Sequence, residues 1–161
     1  MENVKKTYGH IWLIIVAVVL FDQITKYLVR HFMDLGQTLN IAGNIVRFTY
    51  VENPGIAFGL HLSNRFVFTG LSLLASALLI VYLYKNRREP RFLTVSLAVI
   101  LGGAFGNLID RIAFGRVVDF LDIGIGTLRW YIFNVADSAV VVGMIFLLIY
   151  LYRCDRCIRK E

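Results

Sequence analysis

The residues best suited to chemistry in this chain are acids set among long apolar runs. Between Gly102 and Asp137 the sequence reads GGAFGNLIDRIAFGRVVDFLDIGIGTLRWYIFNVAD, which contains Asp110, Arg111, Asp119 and Asp137. A charged side chain at membrane depth is costly, so each of these is a functional candidate. Asp119 and Asp137 stand eighteen residues apart, and one continuous helix would separate them by about 27 Å at 1.5 Å per residue. They can meet only if the segment reverses. Gly124 and Gly126 offer a place for the reversal, and Thr127 to Phe133 has the β-branched and aromatic content of a return strand. Two carboxylates brought together at a membrane boundary cannot both ionise cheaply, so the pair is expected to share a proton near neutral pH. That is the logic of an aspartic protease dyad. The ionised member takes a proton from water as it attacks a carbonyl, while the protonated member polarises that carbonyl and later serves the departing amine.

Other chemistries fit less well. His10, His31 and His61 are far apart, there is no HExxH, and no Ser or Cys stands in an activating context. Ser138 reads as a helix-start serine beside Asp137. Asp110, followed by Arg111, reads as scaffold, because a neighbouring arginine would keep it ionised and make it a poor proton donor. Asp122 is expected to be a solvated loop acid. Cys154 and Cys157 form a single CxxC, which cannot complete a tetrahedral zinc site. Neither a metal nor a cofactor is expected.

The elements that must position these groups follow from composition. With 58% hydrophobic residues, 17% charged residues and a mean hydropathy of +0.67 over 161 residues, the chain is too apolar for an ordinary soluble domain. The expected class is a mainly α membrane protein, a single unit of four transmembrane helices with a small extracytoplasmic β-platform. The net charge of +6 comes from short basic clusters between apolar runs, the pattern of membrane orientation and not of nucleic-acid binding. The start imitates a secretory signal, but no small-residue cleavage site follows. The spans are expected at about 10–29, 66–84, 92–112 and 136–152, each near the twenty residues that cross a roughly 30 Å core.

Within the first span, Asp22 and Lys26 form an i, i+4 pair. It either neutralises itself near a helix end, with Lys26 snorkelling outward, or supports a site. Ile45 to Val51 reads as a strand running into Asn53-Pro54-Gly55. Asn53 is either a turn asparagine or an amide facing a site, since a residue before proline is held out of the helical region. The third span carries Gly102-x-x-x-Gly106, which permits close helix approach. At its far end Asn107, Asp110 and Arg111 share one helical face.

Four spans place Lys5, Lys6, the Lys85 to Arg91 cluster and the Arg153 to Lys160 tail on one side, which positive-inside counting makes the cytoplasm. The other side carries only the scattered Arg30, Arg47, Arg65, Arg116 and Arg129. Both termini then lie inside. Asp22 falls late in an outward helix, Asn107 to Arg111 late in another and Asp137 at the start of an inward one. The costly polar groups thus converge at the outer face. A proton-coupled transporter would place its acids near the midplane, often in repeated halves; no internal repeat is visible. A purely structural subunit would leave Asp119 and Asp137 without a reason.

Five segments in order resemble the bacterial lipoprotein signal peptidases, or signal peptidase II. They are Asp22-Gln23-Ile24-Thr25-Lys26, Asn53-Pro54-Gly55-Ile56-Ala57-Phe58-Gly59, Gly102 to Arg111, Val117-Val118-Asp119-Phe120 and Phe133-Asn134-Val135-Ala136-Asp137. The resemblance spans nearly the whole chain. It implies that Asp119 and Asp137 are the catalytic pair, with Asp22, Asn53, Asn107, Arg111 and Asn134 around substrate and dyad; Lys26, Gly55 and Asp110 complete the candidate supporting residues. It implies a bacterial inner-membrane enzyme that cuts prolipoproteins before a diacylglyceryl-modified cysteine. Membrane lipid and cyclic lipopeptide inhibitors of the globomycin type are further implied partners. Ile56 stands where a smaller residue is expected, and the Cys154 to Cys157 tail has no counterpart in the family pattern.

Overall fold

The computed structural model describes residues 2–55, 65–86 and 89–158. Ile56 to Gly59 of the second motif, His61, Arg87, Arg88, Arg159 and Lys160 lie outside these, as do the side chains of Lys5, Lys6, Arg65, Arg156 and Cys157. The chain runs α1 (Glu2–Phe32), β1 (Thr38–Ala42), β2 (Val46–Asn53), α2 (Arg65–Lys85), α3 (Arg91–Phe114), β3 (Val117–Ile125), β4 (Leu128–Arg129) and α4 (Val135–Ile158). All four helices are long and apolar enough to cross a membrane, and the protein is a multi-pass membrane protein carrying a four-stranded antiparallel sheet. The helices outrun the expected spans. α1 begins eight residues earlier than residue 10 and α4 ends six residues later than residue 152, because polar residues beyond the apolar window continue the backbone ladder without penalty in water.

α3 is the central helix: 67% of its apolar window is buried, against 22% for α1 and 11% each for α2 and α4. Its small residues make that possible. A Cβ on Gly102 would meet Val18, and one on Gly106 would meet Asp22 Oδ2 at 2.5 Å and Ala136 Cβ at 3.1 Å. α1 and α4 therefore both close on the same glycine face, as the spacing predicted. Ile11, Ile15, Leu83, Leu97 and Leu101 form one core where α1, α2 and α3 meet. At the other end Val29, Met33, Tyr50, Val118 and Phe120 seat the sheet on α1.

The sheet order is β1-β2-β3-β4. β2 is the strand expected between Ile45 and Val51; β1 is an additional strand, pairing Leu39 with Phe48. The reversal needed between Asp119 and Asp137 is present. Ile125 pairs with Leu128 around Gly126, whose φ of 59° glycine adopts without strain, and Leu121 bridges Phe133. The connections place the ends of α1 and α3 and the start of α4 at the sheet end of the bundle.

Candidate active site

Asn134 organises the site. Its Oδ1 accepts from the Asp137 N–H at 2.9 Å, and Asp137 Oδ2 accepts from the Asn134 N–H at 3.3 Å, a reciprocal cap at the start of α4. The serine expected to start this helix, Ser138, instead donates to the Asn134 carbonyl. With its oxygen spent on the cap, Asn134 Nδ2 points into the protein and donates to Asp119 Oδ1 at 2.7 Å. One side chain therefore ties β3 to the first turn of α4. Asn107 Nδ2 donates to Asp137 Oδ1 at 2.7 Å, while Asn107 Oδ1 accepts from Asn134 Nδ2 and from Lys26 Nζ. Each aspartate therefore has its own side-chain amide, Asn134 for Asp119 and Asn107 for Asp137, and the two amides are bonded to each other.

Asn53 plays both roles that its sequence context left open. Its Oδ1 accepts from the Gly55 N–H at 2.9 Å, an Asx turn, and its Nδ2 donates to Asp119 Oδ2 at 3.2 Å. Gly55 is buried with φ 107°, and a Cβ there would strike the Phe68 ring at 2.5 Å. Asp119 is almost fully buried. That burial first, and the charge of Asp137 second, push its carboxyl up to about 6 against the opposing amides of Asn53 and Asn134 and the charge of Lys26. The two acids thus feel each other's charge. Asp137 is partly open and lies along a groove of about 550 Å³ lined by Ile123, Trp130, Phe133, Ser138, Val141 and Val142.

Beneath the pair lies a buried ionic layer. Asp22, Lys26 and Asp110 are fully buried; Lys26 Nζ sits 2.8 Å from Asp22 Oδ2 and 3.0 Å from Asp110 Oδ2. Lys26 therefore points inward and does not snorkel. Asp22 Oδ1 accepts from the Ala136 N–H at 2.8 Å, which locks α1 to the start of α4. Asp110 is not paired with Arg111. It takes Arg30 at 3.0 Å, Lys26 and the Val118 N–H, and Arg30 lies 4.0 Å over the Phe114 ring. Arg111 has no carboxylate within ion-pair distance among the described residues, and its buried Nε has no hydrogen-bond partner. Its charge is nonetheless felt by Asp137, Asp119 and Asp110. Asp122, expected in solvent, is buried in β3, where it pairs with Arg129 at 2.5 Å and accepts from Thr49. Sequence reading passed over Arg30, whose i+4 spacing from Lys26 was the available signal, and Gln23, which donates to the Gly106 carbonyl.

This architecture and its motifs have known counterparts. The profile described as Signal peptidase (SPase) II matches residues 14–153. The chain belongs to that family. Among its relatives, the lipoprotein signal peptidase of Syntrophus aciditrophicus is 42% identical over 82% of this chain and 85% of its own length. That of Moorella thermoacetica is 43% identical over 84% and 87%. A bacterial membrane enzyme solved by the in meso method at 2.3 Å resolution superposes with a TM-score of 0.76 at 33% identity, covering 90% of this chain and 88% of that one. Membership of the signal peptidase II family makes the chain a membrane peptidase and displaces the transporter and structural-subunit readings.

Proposed function

We propose that this peptidase removes the signal peptide from diacylglyceryl-modified prolipoproteins by aspartic catalysis, cutting on the N-terminal side of the lipidated cysteine. The observation that carries the reading is that Asn134 holds Asp119 and Asn107 holds Asp137 while the two amides bond each other, beside a groove that is apolar apart from Asp137 and Ser138. One proton shared between the two acids leaves one base and one acid. The base accepts a proton from water as the water oxygen bonds to the scissile carbonyl carbon, and the acid protonates the carbonyl oxygen. Collapse of the resulting diol breaks the C–N bond. The leaving amine receives the proton taken from water, and the other carboxylate regains its own. Asn107, Asn134 and Asn53 hold both carboxylates in place, so little reorganisation accompanies the step. Arg111, with no intramolecular ion pair among the described residues, is free to receive a polar group of the substrate.

A lipid-anchored cysteine holds its scissile bond at the membrane surface, the level at which α3 ends and α4 begins. The basic residues Lys85, Arg91 and Arg153 lie at the opposite end of the bundle from the sheet, and by positive-inside counting that end is cytoplasmic, with both termini there and the acids toward the outer face of the bacterial inner membrane. Cyclic lipopeptides of the globomycin type would compete for the same groove. Purified protein in lipid is to be offered lipidated and bare precursor side by side. Only the lipidated form should be processed, and Asp119→Asn or Asp137→Asn should fold and insert yet process neither. Normal cleavage by either variant would remove the dyad mechanism, and equal turnover of the bare precursor would remove lipid recognition.

A further inference from the structure

We infer that the β3–β4 hairpin is a membrane-docking surface whose occupant is the lipid of the leaflet on the sheet side. Alternation along the strands sorts its side chains onto two faces. Ile125 pairs with Leu128, and Trp130 N–H bonds the Ile123 carbonyl, so Ile123, Ile125, Leu128 and Trp130 share one face. Asp122, Gly124 and Arg129 share the other. On that second face the charges cancel: Arg129 pairs with Asp122 and donates to the carbonyls of Asn44 and Asp122. The first face carries no charge and is bare, with Ile125 76%, Leu128 82% and Trp130 72% exposed. In water so large an apolar surface, concentrated on a two-stranded tip, would be a standing liability.

Continuity with the membrane-facing side of α4 identifies the occupant. Ile123 and Trp130 line the same groove as Val141 and Val142, which lie six and seven residues into α4 and so about 10 Å along its axis from the helix start. Those valines belong to a span of which only 11% is buried within the protein, so their surroundings are acyl chains. A hairpin face that shares a groove with them overhangs the bilayer and does not stand clear of it. Trp130 is of the residue type that settles at the boundary between headgroups and hydrocarbon. Docked in this way, the hairpin keeps the groove at Asp137 flush with the lipid from which an anchored ligand would arrive.

The chain has two tryptophans, so Trp12→Phe leaves Trp130 as the only indole. In vesicles of brominated phosphatidylcholine that variant should lose most of its emission relative to unbrominated vesicles, while aqueous acrylamide should quench it little. Adding Ile125→Ser and Leu128→Ser should reverse both results. Emission open to acrylamide and indifferent to brominated lipid would place the hairpin in water and overturn the inference. Shielding that appears only on adding a lipidated precursor, or only at high protein-to-lipid ratio, would make the occupant a substrate or a second copy and overturn it equally. The measurement needs no turnover, so its failure would leave the peptidase reading untouched.

Discussion

Replacing Asn134 separates the two jobs that its side chain performs. Its Oδ1 caps α4 through the Asp137 N–H, and its Nδ2 donates to Asp119 at 2.7 Å. Serine is as good a cap as asparagine but has no amide to reach Asp119, whereas alanine supplies neither, and loss of a cap costs about 1 kcal/mol. A hydrogen bond to a charged group contributes about 1.5–3 kcal/mol. At 1.36 kcal/mol per pKa unit, losing it should move the alkaline limb of kcat/KM upward by roughly one to two pH units.

The sign follows from which form the donor favours. The amide stabilises ionised Asp119, so without it the proton is retained to higher pH and the singly protonated pair survives there. The wild-type limb should fall near the value of about 6 to which Asp119 is raised, although the apparent constant belongs to the pair and not to either acid. Asn134→Ser should shift the limb with a stability loss smaller than that of Asn134→Ala by about the worth of the cap, ~1 kcal/mol. The assay is kcat/KM against pH on a lipidated peptide, with thermal unfolding alongside. A limb that stays in place or moves to lower pH in both variants would refute the role given to the Asn134 amide.

Three further outcomes follow from the same geometry. Because Asp119 binds its proton more tightly folded, at about 6, than at its ordinary 3.8, the folded state bears a cost above pH 6 that is relieved as pH falls toward 4; thermal stability in detergent should rise from pH 7.5 to 5 in wild type and lose that component in Asp119→Asn. Arg111→Ala strands no intramolecular ion pair among the described residues, so it should raise KM for the lipidated peptide with little change in melting temperature; a collapse in stability with KM unchanged would make Arg111 structural. Gly106→Ala puts a methyl 2.5 Å from Asp22 Oδ2, an overpacking that typically costs about 1–3 kcal/mol, and an unaltered melting temperature would show that α1 is free to retreat.

Much of this is legible in the sequence alone. The spans were readable because twenty apolar residues have one use in a chain of this length, and parity then carried Asp22, Asn107 and Asp137 to one level. The reversal at Gly124 to Gly126 followed from the distance a helix would impose. Partner choice was not legible. Asp110 and Arg111 are sequence neighbours, yet a helix turns adjacent side chains about 100° apart, so Asp110 pairs with Lys26 and Arg30 on α1 while Arg111 joins no ion pair among the described residues and feels the charges of Asp137 and Asp119 first. Asp122 looked like a loop acid because only strand register shows that it alternates onto the face carrying Arg129. β1 escaped notice although Leu39 and Ile41 alternate with Thr38 and Asn40, because the run is only five residues long and its wholly exposed residues mark no core face.

The charges around the site balance only with a proton on the dyad. Four carboxylates, Asp22, Asp110, Asp119 and Asp137, face three cations, Lys26, Arg30 and Arg111. One acid must therefore be neutral for the cluster to be neutral, and desolvation makes Asp119 the group whose protonation is favoured near pH 6. Lys26→Met tests this from a residue in contact with neither acid of the pair. It removes a cation that lowers the Asp119 pKa, so the alkaline limb should rise, and it strands Asp22, a loss of about 3–5 kcal/mol for one partner of a buried pair. Adding Asp22→Asn removes the stranded charge while leaving an oxygen to accept from the Ala136 N–H, and Asp110 keeps Arg30. The double variant should therefore recover most of the lost stability, read by thermal unfolding in detergent. If it melts no higher than Lys26→Met alone, charge balance is not what the buried layer provides, and Lys26 acts only by holding Asn107 in place.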